Sequence, residues 1–216
     1  MQAAYQLASG GGVKRLRKYP ALIAKLTRHV ERCGTLDDDS ARPPASAGVL
    51  YLVISGAPAP EGIPDLVRRC QAAGWQVLVI STPLGVRFTD AAVLEQLTGE
   101  PVRSEYRMPG TGKGLPVADA VLACPLTFNS VNKFADGHAD NFAVGLLCEL
   151  AGYGTPIVVV PHCKPQLASH PAFRASISTL CGMGVTVLFD PDAPYERRLP
   201  PWREVVAALP ARAVSR

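Results

Sequence analysis

From residue 49 onward, apolar positions fall into short unbroken runs, and amphipathic segments separate them. Val49-Leu50-Tyr51-Leu52-Val53-Ile54 has no polar alternation at all, which suits a strand buried on both faces. The same reading predicts strands at 76–80, 118–123, 156–160 and 185–189. Between them the apolar positions adopt helical spacing, predicting helices at 64–74, 91–97, 131–150, 172–181 and 201–209. Gly74 and Gly99 are placed to stop the first two of these helices. A strand–helix alternation of this kind implies an α/β fold, with one parallel sheet flanked by helices on both faces. No internal repeat is visible.

Residues 1–47 break the alternation and predict a separate basic helical extension and linker before a single domain at 48–216. Within it, Val13, Leu16, Leu22, Ile23, Leu26 and Val30 are close to helical spacing, while seven Lys and Arg residues between Lys14 and Arg32 crowd the other faces. Pro20 breaks or starts this helix. Such a helix suits an anionic surface, but the favoured reading is a helix packed on the core or on a neighbouring subunit, its cations solvated. The 216-residue chain is long enough for one full core. Its net charge of +4 is too mild to argue for nucleic acid. Six cysteines at irregular spacing, with no C-x-x-C pair, read as reduced and mostly buried rather than as a disulfide framework. No metal-ligand cluster, 18-residue apolar span or signal-peptide core is visible, so the expected location is the cytoplasm.

In a parallel sheet, ligands sit beyond the carboxyl ends of the strands. Four segments of this chain are predicted to lie there and to converge. The first, Ser55-Gly56-Ala57, is a small-residue turn in which Gly56 permits close backbone approach; Pro58 and Pro60 beyond it remove two donors. In the second, the hydroxyls of Ser81 and Thr82 can donate to a phosphate or a ribityl chain. The third follows the run 120–123 and packs Thr127, Asn129, Ser130 and Asn132 into a helix start, the setting in which α/β proteins hold phosphorylated cofactors. On the plainer alternative, Asn129 and Asp140-Asn141 merely cap helices. The fourth segment is Pro161-His162-Cys163-Lys164. Adjacent side chains on a strand-like segment point to opposite faces, so no His162–Cys163 nucleophile pair is expected. The stretch Gly110-Thr111-Gly112-Lys113 lacks phosphate-loop spacing and precedes a strand instead of following one.

The register from Cys124 to Asn141 resembles that of the homo-oligomeric flavin-containing cysteine decarboxylases, which include phosphopantothenoylcysteine decarboxylase and the lantibiotic-type peptidyl-cysteine decarboxylases. Pro125, Asn129, Lys133, Ala135, Gly137, Asp140 and Asn141 match the pattern A-P-A-S-A-N-T-x-x-K-x-A-x-G-x-x-D-N without a gap. Thr82, Gly85 and Phe88 follow the spacing of a second family pattern, T-x-x-A-x-x-F, with Gly in place of Ala. The resemblance implies a Rossmann-like, flavodoxin-like sheet, an FMN cofactor and assembly as a trimer or a multiple of trimers. It also implies FMN contacts from Ser55, Gly56, Ala57, Ser81, Thr82, Phe88, Pro125, Thr127, Phe128, Asn129, Ser130 and His162.

Two departures set the chain apart within the resemblance. The family's P-x-M-N-x-x-M-W motif, whose Asn grips the substrate carboxylate, becomes Pro161-His162-Cys163-Lys164-Pro165-Gln166-Leu167-Ala168. Lys164 can pair with a carboxylate only as a point charge. The family's active-site His falls at Thr111, which cannot serve as a base near neutral pH. The expectation is therefore a divergent FMN-binding redox enzyme acting on a small-molecule or peptide thiol. Asn129 and Lys164 are its substrate-binding candidates, and His162, Cys163 and Lys164 its catalytic candidates. The alternative is a catalytically inactive flavin-binding module that acts on a partner protein.

Overall fold

The structure, a computed structural model, describes residues 48–59, 61–108, 110 and 114–210, all of them within the unit Ser46–Arg216. The basic segment at Val13–Arg32, Pro60, and the stretch at Thr111 that takes the place of the family's His lie outside the described residues.

Five strands form one all-parallel sheet: β1 (Gly48–Ile54), β2 (Trp75–Ser81), β3 (Ala120–Leu126), β4 (Ile157–Pro161) and β5 (Thr186–Val187). Their spatial order, β2-β1-β3-β4-β5, is the flavodoxin-like order. Seven α-helices connect and flank them among the described residues: α1 (Ile63–Ala72), α2 (Ala91–Thr98), α3 (Phe128–Asp136), α4 (Phe142–Gly152), α5 (Pro165–Ala168), α6 (Pro171–Gly182) and α7 (Trp202–Ala207). Short 3₁₀ turns at Gly85–Phe88 and Tyr195–Arg197 complete the chain path.

The unbroken apolar runs are explained by two cores, one on each face of the sheet. Tyr51, Val53, Val121 and Ala123 pack with Val131, Phe134, Leu147 and Phe173 of α3, α4 and α6. Their neighbours along the same strands, Leu50, Leu52, Leu122 and Cys124, pack with Leu66 and Val67 of α1 and Trp202 and Val205 of α7. Alternation along each strand therefore feeds both layers, and the polar strand residues Gln76, Ser81 and Thr186 stand at or next to strand ends. The Trp202 indole N–H donates to the Gly62 carbonyl at 3.2 Å, which pins α7 to the entry of α1.

The structure differs from the sequence expectation in three elements in particular. The helix expected at 131–150 is two helices. Gly137 adopts a left-handed φ of 73° and closes α3, and the Asn141 carboxamide accepts from Val144 N at 3.1 Å to open α4. The first of these helices begins earlier than 131, because Thr127 caps it. The strand expected at 118–123 instead runs Ala120–Leu126, through a cis Cys124–Pro125 bond and with a register shift against β4. The strand expected at 185–189 shrinks to Thr186–Val187.

Candidate functional site

The carboxyl ends of β1, β2, β3 and β4 open onto one cavity of about 720 Å³, within the range that small-molecule ligands occupy. Gly56 and Ala57 come from β1, Thr82 from β2, Thr127 to Ser130 from β3 and α3, and His162 to Lys164 from β4. Convergence follows from topology: parallel strands present all their carboxyl ends on one side, and the sheet order reverses between β1 and β3.

Four of the sequence-derived candidates, Ser55, Ser81, Phe88 and Pro125, are not part of this lining. Ser55 is buried; its hydroxyl donates to the Pro125 carbonyl at 2.9 Å and accepts from Thr127 N at 2.8 Å. Ser55 and Pro125 thus hold the β1 and β3 ends together instead of facing the cavity. Ser81 is fully buried and its hydroxyl is spent on the Thr82 carbonyl at 2.9 Å. Phe88 is half exposed and is not part of the lining; its ring lies 3.2 Å from where a Cβ on Gly56 would sit.

The β3 end carries the donors. Thr127 Oγ1 accepts from Ser130 N at 3.4 Å and lies 3.1 Å from Ser130 Oγ. The first-turn amides of Phe128 and Asn129 remain unpaired within the helix, and both residues line the cavity. Asn129 is exposed inside the first turn, so the alternative that it merely caps a helix does not hold; the caps are Thr127 and Asn141. Phe128 lines the cavity. It packs against Phe173 at 5.8 Å and edge-on to His170 at 5.8 Å.

Charge at the cavity is net positive. Lys133 is paired with Asp140, and the Lys133 ammonium, mainly through its hydrogen bond, holds that carboxyl below the ordinary carboxylate range. Lys164 is exposed and has no ion-pair partner among the described residues. His162 and Cys163 both line the cavity; His162 stacks on Tyr195, Cys163 packs into the core with Phe134 and Phe173, and no hydrogen bond joins the two. Burial pushes the Cys163 thiol up, partly offset by the charge of Arg198, so Cys163 is no ready thiolate. Burial, aided by the same charge, holds the His162 imidazole below its ordinary range.

Sequence reasoning missed the contribution of Tyr195, whose ring stacks on His162 at 4.9 Å with 25° between planes. It sits on a 3₁₀ turn in an irregular stretch with no periodicity to read. Lys133 and Asp140 line the cavity too, and their place in the quoted register was the available signal. Among the described residues no group of three or more His, Cys, Asp or Glu can hold a metal ion, and no helix is long and apolar enough to cross a membrane.

A family model described as Flavoprotein matches residues 44–213. The coenzyme A biosynthesis bifunctional protein CoaBC of Mycobacterium bovis is 31% identical over 140 residues, covering 62% of this chain and 32% of that protein. Its counterpart from Thermococcus kodakarensis is 28% identical over 141 residues, covering 63% of this chain and 35% of that protein. The chain thus spans about a third of the length of these curated relatives. Among solved structures, MrsD from a Bacillus species matches with a TM-score of 0.63 and 18% identity, over 76% of this chain and 94% of that one. The FMN-dependent cysteine decarboxylase SpaF matches with a TM-score of 0.56 and 21% identity, over 68% and 85%. These two likenesses are likenesses of fold.

Proposed function

The chain belongs to the flavoprotein family, of which it is a divergent member resembling the cysteine decarboxylases, and from that premise we propose that it binds FMN in the cavity and acts on a thiol substrate. The observation that carries the reading is the convergence of four strand ends on one cavity with the unpaired first-turn amides of α3 and the unpaired cation of Lys164. Helix-start amides and a nearby cation suit a phosphate monoester. The same donor set, with hydroxyls at Thr82, Thr127 and Ser130, fits a polyol chain. Gly56 keeps that wall thin: a Cβ there would lie 3.0 Å from Leu84 Cγ.

In this reading the α3 amides, Thr127 and Ser130 hold the phosphate and the polyol, and Asn129 offers both donors and an acceptor to the flavin edge. FMN, when bound, supplies two-electron redox chemistry toward a thiol-bearing carbon. The protein's part is to bind, orient and exclude water. Lys164 attracts a substrate carboxylate, as a point charge where the family's motif has Asn. His162 and Cys163 face the same space, and with Lys164 they are the candidates for contact with the reacting group. A homo-oligomer, as a trimer or a multiple of trimers, a cytoplasmic location and a separate extension at 1–47 belong to the same proposal.

A second reading, a flavin-binding module that does not turn over, is favoured by one observation: the position of the motif's carboxylate-gripping Asn carries a solvated Lys164. Titration with FMN tests the shared part of both readings. Saturable uptake of about one FMN per chain is expected, and no uptake refutes both. Bleaching of the bound flavin by cysteine-terminated peptides then separates enzyme from module.

A further inference from the structure

Two buried polar atoms beside the cavity have no partner. His162 is 5% exposed, and its Nδ1 is enclosed without a hydrogen bond. Arg198 is 9% exposed and its Nη1 is likewise enclosed and unpaired. The rest of that guanidinium is fixed: Nε donates to the Ala193 carbonyl at 3.0 Å and Nη2 to the Pro191 carbonyl at 3.2 Å, with the Phe189 ring 5.9 Å away. Tyr195, three residues before Arg198, stacks on the His162 ring. The segment that buries Arg198 therefore also sets the plane of the imidazole.

Nη1 can only donate, and a neutral imidazole with its proton on Nε2 can only accept at Nδ1. A buried donor and a buried acceptor left apart are each costly, and each is what the other lacks. Only Nδ1 of the two ring nitrogens is enclosed without a partner, so Nε2 is the one that the cavity reaches.

We propose that Arg198 Nη1 and His162 Nδ1, which make no direct hydrogen bond, satisfy one another through one enclosed water and so fix His162 as the neutral Nε2–H tautomer. In that state it donates a hydrogen bond to an electron-rich acceptor atom of the cavity ligand. The acceptor is a flavin ring atom or a substrate thiolate. Identification of that ligand rests on the proposed function; the tautomer does not. Arg198 is then a positioning residue. The guanidinium charge and burial both disfavour imidazolium. The other charged or titratable groups lining the cavity are Tyr195 across the stack, Cys163 and Lys164 on its own segment, and the Lys133–Asp140 pair. The segment that carries Tyr195 and Arg198 also bears Asp190, Asp192 and Glu196, whose carboxylates are exposed to solvent.

The test is long-range proton–nitrogen correlation on the flavin-free full chain labelled with nitrogen-15 histidine, from pH 5 to 8, with His162→Gln to assign the signal. The expected result is a neutral Nε2–H ring that titrates below about 6.5, the ordinary histidine value. Arg198→Met should raise that midpoint and mix the tautomers, and Arg198→Lys should restore the midpoint in part. An Nδ1–H ring, a midpoint at or above the ordinary value, or an Arg198→Met protein with unchanged midpoint and tautomer overturns the proposal; the first two outcomes need no variant to fold. FMN and N-acetylcysteine are then added separately. Movement of the Nε2–H resonance with either supports donation and identifies the acceptor, whereas movement with neither overturns it. His162→Phe should weaken binding of the responding ligand about five- to tenfold, the worth of one hydrogen bond. Failure of FMN to bind at all sinks the flavin reading and leaves the tautomer and the thiol arm to decide this one.

Discussion

The Ser55 hydroxyl donates to the Pro125 carbonyl at 2.9 Å, and the Ser55 backbone N–H donates to the same oxygen at 3.1 Å. The hydroxyl also accepts from Thr127 N at 2.8 Å, so one buried side chain joins the ends of β1 and β3 at the point where the sheet order reverses. Ser55→Ala removes two hydrogen bonds and leaves Thr127 N without its acceptor. A loss of about 1–3 kcal/mol is expected in urea unfolding. The β1 and β3 ends should loosen with it, so FMN affinity should fall by more than for an equally destabilising substitution in α7.

Gly85 and Gly145 predict opposite tolerance to a methyl group. A Cβ on Gly85 would lie 2.6 Å from Ser81 Oγ and 3.0 Å from the Ile54 carbonyl, both held in the wall behind the cavity. Gly85→Ala should cost about 1–3 kcal/mol, as overpacking does. At Gly145 the nearest atom is the Tyr106 hydroxyl, the far end of an exposed side chain that can swing away. Gly145→Ala, in the interior of α4, should be neutral or stabilising by a few tenths to about 1 kcal/mol, because alanine favours helix. Thermal unfolding of the two variants decides both.

Much of the fold could be read from the chain because of how these strands are buried. β1, β2 and β4 feed two cores at once, so their sequences show no alternation, and runs such as Val49 to Ile54 announce them. β3 was harder because Pro125 in its last turn reads as a break, whereas the strand continues through it to Leu126. The helix pair was merged because apolar residues flank Gly137 to Asn141 on both sides; the capping roles of Gly137 and Asn141 separate them. Four cavity walls were legible because strand ends in a parallel sheet must converge. Tyr195 was not, since it reaches His162 from an irregular stretch whose placement depends on tertiary packing alone.

The described cysteines should separate cleanly by reactivity. Burial pushes the Cys70 thiol up to about 12 and holds Cys124 well above its ordinary value, whereas Cys181 is exposed. Iodoacetamide at pH 8 should label Cys181 in the folded protein and reach Cys70 and Cys124 only on unfolding, as peptide mass mapping will show. Rapid labelling of Cys124 in the native state would contradict the packing of both cores around β3.

Asp140 predicts a specific acid limb. Its folded carboxyl titrates below the ordinary 3.8 because Lys133 hydrogen-bonds it. The stabilisation is therefore present above the unfolded value and is lost as pH falls through the lower folded one. Asp140→Asn should lose less melting temperature than the parent protein between pH 5 and 3, and match its pH dependence above pH 5. Both groups are at least partly exposed to solvent, so the effect should shrink at high salt.

The central claim is that the four strand ends enclose a flavin, and the visible spectrum of the purified protein, followed by identification of what it releases on denaturation, tests it most directly. A yellow protein with flavin bands that releases FMN is expected, or a colourless one that acquires those bands at about one FMN per chain on reconstitution. A protein that is colourless, takes up no FMN at saturating concentration and yet unfolds cooperatively would contradict it.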